Sequence, residues 1–470
     1  MRKLFYILIL LIVLVFSSCI TMQKNVETPL ITKQIYNANF SQYLEFNVKI
    51  KYIEVNGTSY SFDDPIRKIF ISRDRIKDND TLNLIYTDEY GRKWKETVSK
   101  KHPEFQMLLW GGGDNNLTSY PNFLGKDIEE VREGIKKSNS DMIVNVIADF
   151  NNDPDTIYNI YSIDGHYYET QESPYYSSNN EINSGDIQTL ENYLFEMMSR
   201  SKETIKYLNI WNHGNGWIDE SSYDDDYATF SLKQIVIDEG NGDSSLKIKE
   251  ITQLLKNFNT DFDDKIDVFG TDACDMAFIE IIYQFSDDIN YYAGSVNEEP
   301  GDGWDYRFLQ EFDGNLENLL KKQVEYYSSS YEKAEDEDFY FNNKYMAITF
   351  SVIKTDGLRD YILDNLNDFT KNNLLQNSDS SIISPYVANH NMLLDLNLAL
   401  DDYEDFNDKF IIAKSVESED ILIDDYNYTV DCLSGIGISY RIKETVKDDY
   451  MELQFYEDFI DTNKWDFEIY

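Results

Sequence analysis

The chain has 470 residues, enough for two or three domains, or for one large domain and a small module. Apolar residues make up 42% of it and aromatic residues 15%, which provides for a sizeable core and excludes an intrinsically disordered protein. The formal net charge of −44 argues against binding nucleic acid, and it either suits basic peptides and divalent cations or serves solubility alone.

The N-terminus has the pattern of an export signal. Arg2-Lys3 is a charged start, and residues 4–16 form an apolar run that is short for a membrane span. The segment Phe16-Ser17-Ser18-Cys19 resembles a bacterial lipoprotein box, with Phe where Leu is usual. We therefore expect a lipoprotein signal peptide at residues 1–18, lipid on Cys19, and an exported, membrane-anchored protein facing the cell surface or periplasm. Plain secretion and a retained hydrophobic anchor are the alternatives.

After the predicted signal peptide, the chain divides by pattern. Residues 19–35 are polar and without periodicity, as expected of a tether. Residues 36–100 contain short alternating runs, at Phe46–Tyr52, Leu82–Tyr86 and Trp94–Val98, and the last two flank a hairpin signal. This region predicts a small all-β module.

Strands alternate with helices from residue 104 onward. The pattern predicts an α/β fold with a mainly parallel sheet flanked by helices. We assign residues 104–470 to this domain, with a core at 104–335 and a C-terminal subdomain at 340–470. The predicted strands are 105–110, 142–148, 205–211, 235–238, 266–269, 291–296, 346–353 and 436–440, the predicted helices are 128–135, 185–198, 246–258, 277–285, 358–369 and 450–462, and a hairpin is predicted at 157–168.

Two of the core strands lead into segments with reactive side chains. His213 follows the strand 205–211, and Cys274 follows the strand at 266–269. The carboxyl ends of parallel strands meet at one edge of a sheet, so the two side chains are expected to lie close together. A thiol needs a base to become a thiolate nucleophile, and a histidine is suited to that task. Alone, His213 would more often be structural; its pairing with Cys274 reverses that expectation.

Neighbouring groups could complete such a site. The backbone N–H groups of Gly214 and Cys274 are the predicted oxyanion hole. Glycine at 214 and 216 would let a substrate carbonyl approach the backbone closely. A helix beginning at residue 275 would favour the thiolate form of Cys274 through its positive end. The remaining cysteine, Cys432, lies in an alternating run and is expected to be a small buried hydrophobe.

The segments around His213 and Cys274 resemble the two signatures of the clostripain-like cysteine peptidases, peptidase family C11, whose members have a caspase-like fold. Four further segments are similar to blocks of the same family. The six segments are Trp211–Trp217, Asp272–Glu280, Trp110–Asn116, Glu181–Asp186, Ser295–Trp304 and Gly435–Tyr440.

The resemblance implies an endopeptidase with a His213–Cys274 dyad and a preference for Arg or Lys at P1. It also implies that Asp272 is the acid of the S1 pocket, where a partly buried carboxylate would bind a basic side chain. A helix N-cap is the structural alternative for Asp272. Asp275 departs from the family pattern, and it either disfavours the thiolate or points into solvent.

Some members of the family mature by self-cleavage in the loop after the histidine strand. In this chain the first basic residue after His213 is Lys233, which is therefore the expected cleavage point.

Calcium dependence also occurs in the family. Asp149–Asp155 spaces its oxygens like the start of an EF-hand loop but has Pro154 at the sixth place and Ile160 at the twelfth, so we expect a loop, with calcium as an open cofactor. Zinc is not expected, because His102, His166 and His390 show no ligand spacing.

The leading hypothesis from the sequence is an exported, lipid-anchored cysteine endopeptidase that cleaves peptides and proteins after Arg or Lys. One alternative is a catalytically silent, surface-binding lipoprotein on a caspase-like scaffold, suggested by Asp275 and the additional β module. Another is an enzyme of the same fold that ligates peptides instead of hydrolysing them.

Overall fold

The computed structural model describes residues 28–76, 81–119, 121–218, 234–297, 299–332, 349–365, 391–398, 400, 402–416, 419–423, 426–430, 434–442, 444–460 and 468–469. The predicted signal peptide, Cys19, Lys233 and Cys432 lie outside these ranges. The chain forms two compact units, one ending at Lys101 and the other beginning at His102. Within the described ranges, no helix is long and apolar enough to cross a bilayer.

The first unit is an antiparallel β-sheet. Its strands are β1 (Ile31–Tyr36), β2 (Gln42–Val55), β3 (Thr58–Ile71), β4 (Thr81–Asp88) and β5 (Lys93–Ser99). They lie in the order β1-β2-β4-β5, and β3 also pairs with β2. Alternate residues of β2 and β4 are buried, including Leu44, Phe46 and Leu84, so one face of the sheet forms the core. The predicted all-β module is confirmed, but it begins earlier than residue 36, because β1 starts at Ile31 within the predicted tether.

The second unit contains the remaining strands and helices. In chain order, the strands are β6 (Phe105–Gly113), β7 (Met142–Phe150), β8 (Thr156–Ile163), β9 (His166–Glu172), β10 (Ile205–Trp211), β11 (Ile235–Asp238), β12 (Ser244–Leu246), β13 (Ile266–Asp272), β14 (Ile289–Gly294), β15 (Thr349–Lys354), β16 (Asn391–Asp395), β17 (Ile411–Val416), β18 (Glu419–Ile423), β19 (Tyr426–Val430), β20 (Gly437–Ile442) and β21 (Glu468–Ile469). The helices are α1 (Phe123–Lys137), α2 (Ile187–Met197), α3 (Ile248–Phe262), α4 (Ile279–Phe285), α5 (Leu316–Glu332), α6 (Leu358–Asn365), α7 (Tyr403–Phe410), α8 (Lys447–Met451) and α9 (Gln454–Ile460).

Nine strands form the central sheet, in the order β17-β15-β14-β13-β10-β6-β7-β8-β9. The five middle strands run parallel, and two antiparallel strands extend the sheet on each side. Every residue of β6 and β7 is buried, as expected for parallel strands covered on both faces.

Helices cover both faces of this sheet. Helices α2, α3 and α4 pack with one hydrophobic cluster, and α1 and α5 pack with a second one. Helix α1 shows why: its buried residues Leu124, Ile128, Val131 and Ile135 recur at helical spacing, and the Asn122 side chain caps its first turn. The predicted sheet flanked by helices is confirmed.

The C-terminal part contacts the segments that follow β10 and β13. Strand β20 is not part of the central sheet but pairs with β16 and β21. The N–H of Gly437 donates to Ala277 O at 3.0 Å, and the Trp217 indole donates to Ser439 Oγ at 3.0 Å. The rings of Trp217 and Tyr450 lie 4.9 Å apart between centroids. The last described strands and helices thus support the turns that carry His213 and Cys274.

Candidate active site

The structure places His213 and Cys274 on neighbouring turns at one edge of the central sheet. Strands β10 and β13 are parallel neighbours, with Trp211 opposite Asp272. Beyond that pair, the N–H of Asn212 donates to Asp272 O at 3.2 Å. Gly214 packs directly against the carbonyl of Cys274, and a Cβ at position 214 would clash with it. The predicted meeting of the two turns at the carboxyl ends of these strands is therefore observed.

His213 is held by an asparagine that the sequence reasoning did not single out. Its Nε2 lies 2.7 Å from Asn116 Oδ1. With this oxygen as acceptor, Nε2 carries the proton and Nδ1 is left as the basic nitrogen. Burial lowers the pKa of His213 to about 4, so the imidazole is neutral near neutral pH and able to accept a proton.

Cys274 contacts the backbone of Glu299. The N–H of Glu299 donates to Cys274 Sγ at 3.2 Å, and the carbonyl oxygen of the same residue lies 3.7 Å from the sulfur. A hydrogen bond donated to sulfur favours its anionic form, because the thiolate is the better acceptor. This contact can activate the cysteine.

The expected contribution of a helix dipole at Cys274 is wrong. Helix α4 begins only at Ile279. Asp275 has φ of +58°, in the left-handed region, which turns the chain away from helical geometry. The N–H groups of Met276 and Ala277 then donate to Ser295 O, at 2.8 Å and 2.7 Å, instead of opening a helix.

The expectation that Asp275 points into solvent is also wrong. The residue is only 4% exposed, and its N–H donates to Asn297 O at 3.1 Å. Its charge is among the causes that raise the pKa of Glu299. Asp275 is therefore part of the buried surroundings of the cysteine turn.

Asp272 ends β13, and it is not a helix N-cap, because α4 begins well beyond it. Its side chain is buried and accepts hydrogen bonds from the Tyr306 hydroxyl at 2.7 Å and from the N–H of Trp304 at 3.2 Å. Burial raises the pKa of Asp272 to about 6. The group is a carboxylate near neutral pH, stabilised by these donors.

Two further buried acids surround Asp272, and together the three form the Asp272 cluster: Asp127, Asp272 and Glu299. Burial, together with the charge of Asp272, raises the pKa of Asp127 and of Glu299 well above the usual range. Each has an aromatic donor, since Trp211 Nε1 donates to Asp127 at 2.6 Å and Trp304 Nε1 donates to Glu299 at 3.2 Å.

The sequence reasoning missed Asp127 and gave Glu299 no role. The available signal for Asp127 was its place on the apolar stripe of α1, beside Ile128.

A cavity of about 720 Å³ opens beside the Asp272 cluster. His213, Cys274 and Asp272 do not line it, but Trp304, whose N–H bonds Asp272, does. Burial raises the pKa of Glu130 in its wall to about 8. The acidic members of the lining are Asp127, Glu130, Asp302, Asp305 and Glu325. The basic members are Lys126, Lys137 and Arg307, and Lys126 pairs with Asp302 while Arg307 pairs with Asp305, so the lining is of mixed charge.

The glycines after His213 are required by the protein's own packing. Gly214 faces the Cys274 carbonyl, and Gly216, with φ of +63°, lies where a Cβ would come within 2.5 Å of the Phe278 ring. Gly214 and Ile235 form an antiparallel bridge. Its hydrogen bonds are donated by the N–H groups of Asn215 and Val236, and the N–H of Gly214 takes no part in it. That N–H is available to the predicted oxyanion hole.

A second group of acids, the Asp149 cluster, lies near the same edge of the sheet. Ligand oxygens of its members Asp114, Asp149 and Glu181 lie within 4.8 Å of one another. The segment Asp149–Asp155 connects the antiparallel strands β7 and β8, as the predicted loop requires. Its first residue, Asp149, is a member of the cluster, and the carboxylate of its last residue, Asp155, lies close to the cluster. Burial raises the pKa of Asp149 to about 9 and that of Glu181 to about 7.

Comparisons with known proteins agree with this arrangement. The family model described as Clostripain family, peptidase C11, matches residues 109–463. A secreted C11 cysteine protease from Bacteroides thetaiotaomicron, solved with an irreversible peptide inhibitor, is 20% identical, with a TM-score of 0.57 and coverage of 76% of this chain and 99% of that one. An inactive zymogen C11 protease from Parabacteroides distasonis is 20% identical, with a TM-score of 0.54 and coverage of 77% and 99%. No curated protein sequence matches this chain.

The fold, the paired turns and the family match define a cysteine peptidase with a caspase-like α/β domain. The chain belongs to the Clostripain family, peptidase C11.

Proposed function

We propose that the protein is an exported, lipid-anchored endopeptidase that hydrolyses peptide bonds after Arg or Lys by a His213–Cys274 dyad. The observation that carries the proposal is the contact of the two turns, in which Gly214 abuts the carbonyl of Cys274. Residues from two strands far apart in sequence are thereby brought to one place at the sheet edge.

The neutral His213 accepts the thiol proton on Nδ1, while Asn116 fixes the ring through Nε2. The thiolate attacks the scissile carbonyl, and the N–H groups of Gly214 and Cys274 donate to the oxyanion that forms. His213 returns the proton to the leaving amine, and water then hydrolyses the thioester.

Asp272 supplies the proposed preference for a basic P1 side chain. It is an anion above a pH of about 6. A guanidinium or ammonium group that reached this carboxylate would gain charge-assisted hydrogen bonds.

Export and the lipid anchor rest on the sequence of residues 1–19, and a structural neighbour is described as secreted. Fatty-acid labelling of the bacterial protein should mark the native chain and not the Cys19→Ala variant. Equal labelling of both would exclude Cys19 as the lipid site.

Self-cleavage after Lys233 is compatible with the residues that follow it. Gln234 Nε2 donates to Trp217 O at 2.9 Å, and Gln234 Oε1 accepts from the N–H of Ile248 at 2.6 Å. These bonds would hold the new N-terminus in place. N-terminal sequencing of the purified chain should find a fragment starting at Gln234 that is missing from the Cys274→Ala variant; its absence from both would reject this site.

Matched fluorogenic peptides ending in Arg, Lys, Asp or Leu test the proposed activity. We expect cleavage after Arg and Lys only, reduced at least about 10³-fold by Cys274→Ala and by His213→Ala. His166→Ala is the matched control, because His166 is an exposed histidine at the start of β9. Cleavage that survives Cys274→Ala would contradict the dyad, and an inactive native chain would favour the silent scaffold.

A further inference from the structure

Glu299 lies between the cysteine and the carboxylate of Asp272. Its N–H donates to Cys274 Sγ at 3.2 Å, and its side chain is within hydrogen-bonding distance of the Asp272 side chain. Trp304 connects the two acids, since its backbone N–H donates to Asp272 Oδ2 at 3.2 Å and its indole donates to Glu299 Oε1 at 3.2 Å. One residue thus contacts both the proposed nucleophile and the proposed P1 acid.

The contact between Glu299 and Asp272 requires a proton. Two buried carboxyl groups that touch cannot both be ionised without a high cost in free energy, so one of them stays protonated. Both residues are buried. In the described part of the chain neither of them forms a salt bridge, and the basic residues of the neighbouring cavity pair with other acids; these residues are Lys126, Lys137 and Arg307.

The donors around the pair decide which acid keeps the proton. Asp272 accepts from the Tyr306 hydroxyl and from the Trp304 N–H, and both bonds favour its anion. Glu299 accepts from the Trp304 indole, but its buried Oε2 accepts no hydrogen bond from the described residues. Burial and the charge of Asp272 raise the pKa of Glu299 well above its usual range, whereas burial raises that of Asp272 only to about 6. The proton therefore belongs on Glu299.

The other titratable groups that face the pair do not change this assignment. Burial raises the pKa of the tyrosines above its ordinary value, so they are neutral, and the two further acids bring no positive charge. These groups are Asp127 from α1, Tyr207 from β10, Asp275 from the cysteine turn, Tyr292 from β14, Tyr306, and Tyr327 and Tyr331 from α5.

We propose that Glu299 is a specificity-determining residue that stays a neutral carboxylic acid, donates a hydrogen bond to Asp272 and so keeps Asp272 as the anion that meets a basic P1 side chain. The inference rests on the proposed function, because it concerns the same P1 site. A hydrogen bond donated to a carboxylate favours the anion, and the bond from Glu299 acts against the rise in the pKa of Asp272 that burial causes. Glu299 thereby extends to lower pH the range in which Asp272 attracts a cation.

Two substitutions of similar size separate the donor from the charge. Glu299→Gln keeps a neutral donor to Asp272 and an oxygen for the Trp304 indole, so kcat/KM for Arg peptides should stay within about threefold of the native value. Glu299→Met removes the donor, so the acidic limb of the kcat/KM profile should move up by about one pH unit, with about a tenfold loss near the pKa of Asp272. A Gln variant as impaired as the Met variant would overturn the proposal, as would a native profile in the Met variant.

Alkylation of Cys274 by iodoacetamide shows whether the substitutions act through the nucleophile, because this reagent needs no P1 group. The rates should agree within about twofold in all three proteins, since the charge around the sulfur is unchanged. A loss of alkylation in the Met variant that matches its loss of cleavage would overturn the role assigned to Glu299.

Infrared difference spectra of the native chain and Glu299→Gln at neutral pH test the protonation of Glu299 without peptidase activity, and they decide the matter if Glu299→Met does not fold. We expect one band of a protonated carboxyl group that the Gln variant lacks. Its absence would show that Glu299 is ionised and would overturn the proposal. A native chain that has this band but cleaves nothing after Arg or Lys would overturn the proposed function, and with it the role in specificity, while the neutral acid itself would stand.

Discussion

The Asp272 cluster is a buried group of acids, and the Asp149 cluster near the same edge of the central sheet has two buried acids and one exposed acid; the two clusters differ in what faces their oxygens. In the Asp272 cluster, Trp211, Trp304 and Tyr306 donate hydrogen bonds to the carboxyl groups. In the Asp149 cluster, the oxygens of Asp149 receive no hydrogen bond from the described residues.

The two clusters also differ in how readily their acids carry a negative charge. The Tyr306 hydroxyl and the Trp304 N–H stabilise the Asp272 carboxylate, while burial raises the pKa of Asp127 and Glu299, which suits the proposed binding of an organic cation at Asp272. In the Asp149 cluster, burial raises the pKa of Asp149 to about 9 and that of Glu181 to about 7, so these acids take up protons more readily than Asp272 does. Two of the four experiments below test the Asp272 cluster directly. The other two test the contact of Asn116 with His213 and the buried acid Glu280.

Asp272→Asn should have the largest effect. It removes the charge but keeps an oxygen that accepts from Tyr306 and Trp304, so folding should be preserved. We expect kcat/KM for Arg peptides to fall about 10²–10⁴-fold, because a buried charge pair is lost. The matched variant Asp149→Asn should keep the preference for Arg. Equal losses in both variants would remove the distinction between the clusters.

Asn116→Ala should have the next largest effect. Loss of the contact to His213 Nε2 should lower kcat about 10–100-fold through misorientation of the ring. Asn116→Asp should restore orientation and, by adding a negative charge, raise the pKa of His213. The His213 ring, titrated directly by NMR in the Asp variant, should then protonate at higher pH than in the native chain. An unchanged titration of His213 would show that Asn116 does not act on it.

The pH dependence of specificity should show a moderate effect. Burial raises the pKa of Asp272 to about 6, so this carboxylate is progressively protonated as pH falls through that value. We expect kcat/KM for Arg peptides to fall about tenfold per pH unit below it, since the neutral acid no longer attracts the P1 charge. His213, with a pKa of about 4, stays neutral across this window. A flat profile with Arg peptides would place the P1 charge away from Asp272.

Substitution of Glu280 should have the smallest effect, and that effect should be on the free energy of unfolding alone. This buried acid accepts from the N–H of Ser439 at 2.7 Å, and burial raises its pKa to about 7. Because the pKa is higher in the folded state than in the unfolded state, stability is lost as pH rises from the unfolded value toward about 7. Between acidic and mildly alkaline pH, the native chain should lose about 3 kcal/mol relative to Glu280→Gln. The free energy of unfolding should be measured for both proteins by chemical denaturation across this pH range. The same dependence on pH in both would exclude this linkage.

Much of the fold was predictable because its core strands are long apolar runs that are bounded by polar and turn-forming residues. The prediction for β10 matches the structure at both ends, and the hairpin of β8 and β9 turns at Asp164-Gly165, where both residues have positive φ. The separate sheet of β20 was not predictable, since its alternating pattern does not identify its partner strands.

The site was predictable only in part. Strand ends placed His213 and Cys274, because the rule for parallel sheets depends on chain order. The left-handed backbone conformation of Asp275 could not be predicted from the sequence. Because of it, the start of α4 at Ile279 and the burial of Asp275 were not predicted either. Asn116 and Glu299 act through contacts between distant segments, which local sequence patterns do not encode.

The contacts of the C-terminal part determine when, during synthesis of the chain, the two turns of the proposed active site gain their supports. Trp217 is held by Ser439 and Tyr450, and the turn before α4 is held by Gly437. A growing chain makes these residues well after the two turns themselves, so the proposed nucleophile and base lack these contacts until the later segment has been synthesised. Chains truncated before Gly437 should therefore hold the two turns less firmly than the full chain.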